Sequence, residues 1–143
     1  MKKLLFLLPL ACGALLFSCS DDDSANPEAD FTGIYQLTQA SGSIAGGSYE
    51  YDPGLITWSF NPSNNTVTIV NNNVDPMAYD GPDTGIYTYS VEASEMSDLC
   101  ETVLKVDGVD YGCYTFTTNG LTVSNTYADG YTFSFQRMAQ PAQ

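Results

Sequence analysis

Histidine is absent from all 143 residues, and lysine and arginine together number four against 17 aspartates and glutamates. The missing imidazole removes the commonest general base of enzymes and the commonest metal ligand. Scarcity of positive charge excludes more. Lys2 and Lys3 sit at the extreme N-terminus, which leaves Lys105 and Arg137 for the rest of the chain. Phosphate backbones are held by Lys and Arg, so nucleic acid is ruled out as a partner. A Gly-x-Ser-x-Gly elbow and a phosphate-cradling loop are missing too. Paired carboxylates do remain, Asp80 with Asp83 and Glu92 with Glu95, the residue type of glycoside chemistry. Both pairs lie in polar segments where carboxylates are simply solvated. The chain therefore reads as non-enzymatic, with no cofactor.

Only one long apolar run is present. Leu4 to Phe17 is broken by Pro9, Cys12 and Gly13 and falls short of the roughly 20 residues a membrane helix needs. With Lys2 and Lys3 before it and the small Ser18 after it, residues 1–18 read as a signal peptide. The end of that run, Leu16-Phe17-Ser18-Cys19, resembles the lipobox of bacterial lipoproteins. The resemblance implies that Cys19 receives a diacylglyceryl group, is exposed by cleavage and is then N-acylated. The next residues, Ser20-Asp21-Asp22-Asp23, resemble the export signal by which Bacteroidetes send lipoproteins to the outer face of the outer membrane. That likeness implies a lipid-anchored, cell-surface protein whose membrane contact is its N-terminus. Each buried CH₂ contributes about 0.8 kcal/mol, so such an anchor needs no spanning helix. As physics alone, three adjacent carboxylates beside Asn26, Pro27 and Glu28 cannot pack, and residues 19–30 form a solvated tether.

Residues 31–143 suit one domain. All 17 acidic residues follow Cys19, a balance that favours solubility and leaves basic proteins, divalent cations or neutral ligands as compatible partners. Cys12 leaves with the signal and Cys19 carries lipid, so Cys100 and Cys113 are the thiols of the folded part. In an oxidising compartment they suggest a disulfide, against the alternative of two separate buried thiols. A hairpin centred on Asp107-Gly108 does not place them directly opposite, so a bridge requires a bulge or a cysteine just outside the strand.

The folded part has the period of strands. Phe31 to Thr38 alternates, as does Leu55 to Phe60 with Ile56, Trp58 and Phe60 on one face. Asn61 to Asn65 turns that strand into Thr66 to Val70, whose Val67 and Ile69 face the core. A short strand is expected around Ser48 to Tyr51. Gly85 to Glu92, Thr102 to Val106, Tyr111 to Thr117, Leu121 to Ser124 and Tyr131 to Arg137 complete the set. Eight or nine short strands at such spacing signal an all-β barrel or sandwich. Consecutive hairpins without long crossovers favour an antiparallel up-and-down barrel of about eight strands, with a β-sandwich as the alternative. The longest irregular stretch, Asn71 to Asp83, gathers Asp75, Asp80 and Asp83 as a calcium candidate. Turns need the same residues, and no metal site is assigned.

Laid out this way, residues 31–138 resemble a lipocalin-like domain of small Bacteroidetes surface lipoproteins. Gly33-Ile34-Tyr35 looks like the family's Gly-x-Trp motif with Tyr for Trp, and Arg137 ends the last strand. The hairpin Ile56 to Ile69 with Gly85 to Tyr89 is similar to that group's middle strands. The likeness implies a barrel whose Arg137 caps Tyr35 at a closed end by a cation–π contact, with a small hydrophobic ligand at the other. Bulky residues (Tyr35, Trp58, Phe60, Tyr87, Tyr89, Tyr114, Phe116, Phe133, Phe135) instead suggest a filled interior. Three functions stay open: a binding protein for a small hydrophobic or other surface ligand, an acidic inhibitor or immunity protein acting on a basic hydrolase, and a structural accessory of an envelope complex.

Overall fold

The computed structural model describes residues 31–42 and 46–139. The expected signal peptide 1–18, the Cys19 expected to carry lipid, the expected export signal Ser20 to Asp23 and the expected tether 19–30 lie outside the described residues. Nine strands follow one another: β1 (Gly33–Gly42), β2 (Gly47–Glu50), β3 (Ile56–Asn61), β4 (Thr66–Asn71), β5 (Gly85–Ala93), β6 (Thr102–Val106), β7 (Val109–Thr117), β8 (Gly120–Ser124) and β9 (Tyr131–Arg137). Every pairing is antiparallel, and β9 returns to β1 to close the sheet. The fold is an up-and-down barrel of eight strands, with β2 as an extra strand, and not a sandwich. β1 outruns β3, which pairs only with its first residues, and β2 takes over beyond Gln39. Closure removes the unpaired edge that an open sheet would present.

Alternation decides the inside. Ile56, Trp58 and Phe60 on β3, Val67 and Ile69 on β4, Leu104 and Val106 on β6, Leu121 and Val123 on β8, and Phe133 and Phe135 on β9 are all buried. Polar residues such as Thr68, Ser90 and Gln136 face outward. This apolar-in, polar-out pattern is the reverse of a lipid-facing barrel. Among the described residues no helix is long and apolar enough to cross a membrane. Of the aromatics expected inside, Tyr35, Trp58, Phe60, Tyr89, Phe133 and Phe135 are buried, and Tyr87, Tyr114 and Phe116 pack half-buried against them.

Phe31 corrects the expected first strand. It lies two residues before β1 and is fully buried, its ring 4.8–5.4 Å from those of Phe60, Tyr89, Tyr114 and Phe116. It acts as a plug. Strand propensity cannot distinguish a plug from a paired residue, since both are apolar.

Cys100 and Cys113 are joined, with Cα atoms 5.9 Å apart. Both routes anticipated for the bridge are used. Cys100 sits before β6 in the turn where Leu99 and Cys100 N–H donate to Met96 O, and the β6–β7 register shifts between Leu104 and Lys105. The bridge closes a separation of 13 residues, for which the chain-entropy account gives about 3 kcal/mol. Urea unfolding of the Cys100→Ser/Cys113→Ser protein is expected to show a loss of that size. Unchanged midpoints with and without reductant would refute a stabilising role.

Candidate functional site

The topology sorts the loops to two ends. The proximal end holds the start of β1, the close of β9 and the turns at 61–65, 94–101 and 118–119. The distal end holds segments 51–55, 72–84, 107–108 and 125–130.

At the proximal end Tyr35 and Arg137 are register partners, and Arg137 Cζ stands 5.9 Å from the Tyr35 ring centroid. The guanidinium also donates to Thr32 O and Oγ1 at 3.1 and 3.0 Å. Gly33, at φ 91°, lets the chain pass beneath it: a Cβ there would lie 3.5 Å from Arg137 Nε. The three residues singled out from the sequence thus come together, above the Phe31 plug. Nothing in that arrangement is a reactive constellation. It closes the barrel.

The distal end is closed by the chain between β4 and β5. Tyr51 Oη donates to Tyr79 O at 2.8 Å, Asn71 Nδ2 to Pro82 O at 3.3 Å, and Tyr87 Oη to Asp83 O at 3.0 Å. The Tyr79 ring stacks on Tyr131 at 3.9 Å. Gly81 lies against the interior; a Cβ there would sit 3.6 Å from Trp58 Cζ2. Beneath it Trp58, 1 % exposed, meets the rings of Phe60, Tyr111 and Phe135 at 5.1–6.1 Å. Its Nε1 has no hydrogen-bond partner among the described residues. Among the described residues the interior is lined by the chain's own rings in mutual contact.

The calcium candidates take part in the loop's own turns. Asp80 Oδ2 accepts from Asn73 Nδ2 at 2.8 Å, Asp75 Oδ1 from Met77 N at 2.9 Å, and Asp83 is engaged through its backbone carbonyl. These are the bonds that turns make. Among the described residues no group of three or more His, Cys, Asp or Glu could hold a metal ion. Of the carboxylate pairs, Glu92 is bound to Lys105 at 2.7 Å on the surface, which pulls its carboxyl below the usual range and pushes Lys105 up. Such exposed pairs contribute little to stability. With Glu95 they line an outer hollow of about 420 Å³ that also touches Asp110 and Tyr127.

Two tyrosines, the buried Tyr51 and the half-buried Tyr111, belong to the distal closure. Burial, and after it the Asp80 carboxylate, raises Tyr51 to about 12. Burial also raises Tyr111, with smaller contributions from Tyr79 and Tyr87. Both phenols are held neutral in the fold and ionise more readily unfolded. Their stabilisation is therefore complete below about pH 10, the unfolded value, and drains away as pH climbs toward 12. Urea midpoints are expected to fall over that window, and less steeply in Tyr51→Phe, with tyrosinate absorbance tracking the loss. A flat profile to pH 12 would contradict this placement.

The sequence pointed to the Asn71–Asp83 stretch but not to what it covers. The missed partners, Tyr79, Gly81, Tyr131 and Asn125, come from three different segments. Only the Asp80-Gly81-Pro82 turn carried a local signal. No protein-family model, no curated protein and no solved structure matches the chain.

Proposed function

We propose that this is a lipid-anchored, non-catalytic binding protein of the outer membrane, displayed at the cell surface. Its lipocalin-like barrel presents the distal end to a protein partner. Phe31, the first described residue, lies at the proximal end, so the N-terminal segment joins the barrel there.

The observation that carries this reading is the outward apolar set on the distal closure. Val74 is 93 % exposed and Met77 79 % on the 72–84 segment, and Val109 beside the β6–β7 turn is 59 % exposed. Side chains of this kind, held on a pinned loop, suit contact with a partner protein. The ring-lined interior supports the same choice, because a small hydrophobic ligand inside would have to displace the rings around Trp58. The unpartnered Trp58 Nε1 is the one feature that favours such a ligand, one bearing a hydrogen-bond acceptor. Organic extraction of the purified protein tests it.

A photo-crosslinking residue at Met77 in intact cells should give a discrete adduct, while one at Ser63 on the proximal turn should not. Equal adducts from both sites would sink the proposal. The anchor is tested separately: Cys19→Ala should move the protein from the membrane to the soluble fraction.

A further inference from the structure

Eight of the nine strands have a neighbour on both sides, but β2 pairs with β1 alone. Closure of the barrel therefore leaves one strand edge open among the described residues, the outer side of Gly47–Glu50. Such an edge is a template for another extended chain.

The pairing fixes which groups the edge offers. Tyr51 N–H donates to Thr38 O at 3.0 Å, and Tyr49 stands opposite Ala40, two residues along on both strands. In an antiparallel ladder the main chain turns alternately toward its partner and away. Gly47, Tyr49 and Tyr51 are thus turned to β1, while Ser48 and Glu50 are turned outward. Each of these two presents an N–H and a C=O, the pairs about 7 Å apart along the strand. Both residues are exposed, and their outward groups meet no main-chain partner among the described residues. Tyr49 packs half-buried against the core and steadies the strand from its inner face. No proline and no bulge blunts the edge, whose four pairs with β1 run in unbroken register.

Charge says what the edge accepts. Exposed Glu50 is followed by exposed Asp52. Tyr51 Oη donates to Tyr79 O at 2.8 Å, which draws the 72–84 segment with Asp75 and Asp80 alongside. Residues 47–55 and 72–84 contain no Lys or Arg. A second copy of this chain would bring another Glu50 and Asp52 to the same edge, and like charges across a ladder oppose pairing. A basic strand is attracted instead.

We infer that the partner protein adds an extended segment to the free edge of β2, with a Lys or Arg facing Glu50. Its main chain pairs with the outward groups of Ser48 and Glu50, and its basic side chain selects this edge over others. β2 leads directly into the 51–55 segment of the distal end, so one partner reaches both the edge and the exposed Met77. This inference rests on the partner-binding reading above and adds the manner in which the partner is held.

The first arm of the test is amide hydrogen exchange in the purified mature protein, kept in a neutral detergent. Tyr49 and Tyr51 should exchange at least tenfold more slowly than Ser48 and Glu50, as expected when one hydrogen bond of about 1.4 kcal/mol separates them. Equal rates for all four would mean that the edge is covered or unformed, and would overturn the inference. The second arm follows the Met77 photo-adduct in intact cells. Ser48→Pro removes an outward N–H and no bond to β1, and Glu50→Pro does the same at the second position. A proline variant that keeps Tyr49 protected should give about tenfold less adduct. Ser48→Ala keeps the main chain and should keep the adduct, whereas Glu50→Lys should lower it. Should neither proline variant fold, Glu50→Lys decides. The inference is overturned by an adduct undiminished in a folded proline variant, lost equally in Ser48→Ala, or undiminished in Glu50→Lys; each of these leaves the surface reading standing. A wild-type chain without the Met77 adduct faults the surface reading, and this inference falls with it.

Discussion

Phe31→Ala is expected to lower unfolding free energy by about 3–5 kcal/mol, the cost of emptying a fully buried aromatic site. Phe31 has no exposed surface, and four rings surround it at 4.8–5.4 Å. Those neighbours belong to β3, β5 and β7 and are fixed by their own strand pairings, so they cannot collapse into the space. Phe31 is also the first described residue of the chain. A chain begun at Gly33 should therefore lose as much as the substitution does. Ile34→Ala is the control: Ile34 is 37 % exposed, and its loss should stay within about 0.5 kcal/mol. Denaturant unfolding of the three proteins decides the matter. Equal midpoints for Phe31→Ala and Ile34→Ala would show that the plug contributes nothing.

Gly112→Ala should be about as damaging, for a different reason. Gly112 has φ +96°, in the region that a side chain disfavours by about 1–2 kcal/mol. A Cβ there would also lie 2.0 Å from Ser124 O and 2.8 Å from Asn125 Cα. These are backbone atoms of the neighbouring strand and the loop after it, so no rotamer change relieves the clash. Combined strain and overpacking predict a loss of about 2–5 kcal/mol. Gly54→Ala separates the two contributions, because Gly54 has φ +78° but open space around its Cβ position. It should lose only the conformational part, about 1–2 kcal/mol. Hydrogen exchange of the β7–β8 amides would show where the damage falls. A Gly112→Ala protein as stable as Gly54→Ala would mean that β8 moves aside freely.

Much of the fold was legible because strand alternation is local. Ile56-Thr57-Trp58-Ser59-Phe60 states which face is buried whatever lies opposite. Asp107-Gly108 states its hairpin equally well: both residues have positive φ, 51° and 76°, as a tight turn there requires. The consecutive hairpins therefore implied a meander. The bridge between Cys100 and Cys113 was legible down to the need for an irregularity, since a regular hairpin would have left the sulfurs out of reach.

The candidate site was legible only in outline. Asn, Asp, Pro and Gly over 71–83 mark a long loop, but the same composition serves a calcium site or a set of turns. The bonds from Asn73 to Asp80 and from Met77 N to Asp75 are those of turns, and only the folded chain shows them. Similarly, Tyr79 and Tyr131 lie far apart in sequence and stack because β9 brings the β8–β9 loop beneath the closure. Asn125 reads as an ordinary loop residue until its oxygen is found buried.

What the amino-acid sequence determined by itself was what depends on neighbours along the chain: the strands, their buried faces, the tight turns, and the absence of histidine. Tertiary structure alone decided whether the sheet closes, which aromatic plugs its end, and which strand edge is left unpaired. Closure depends on the register of β1 against β9, residues about a hundred positions apart such as Gln36 and Gln136, and no local period encodes that distance. An unpartnered acceptor such as Asn125 Oδ1 can be recognised only when all its neighbours in space are known, for a missing hydrogen bond is a property of the surroundings and not of the residue.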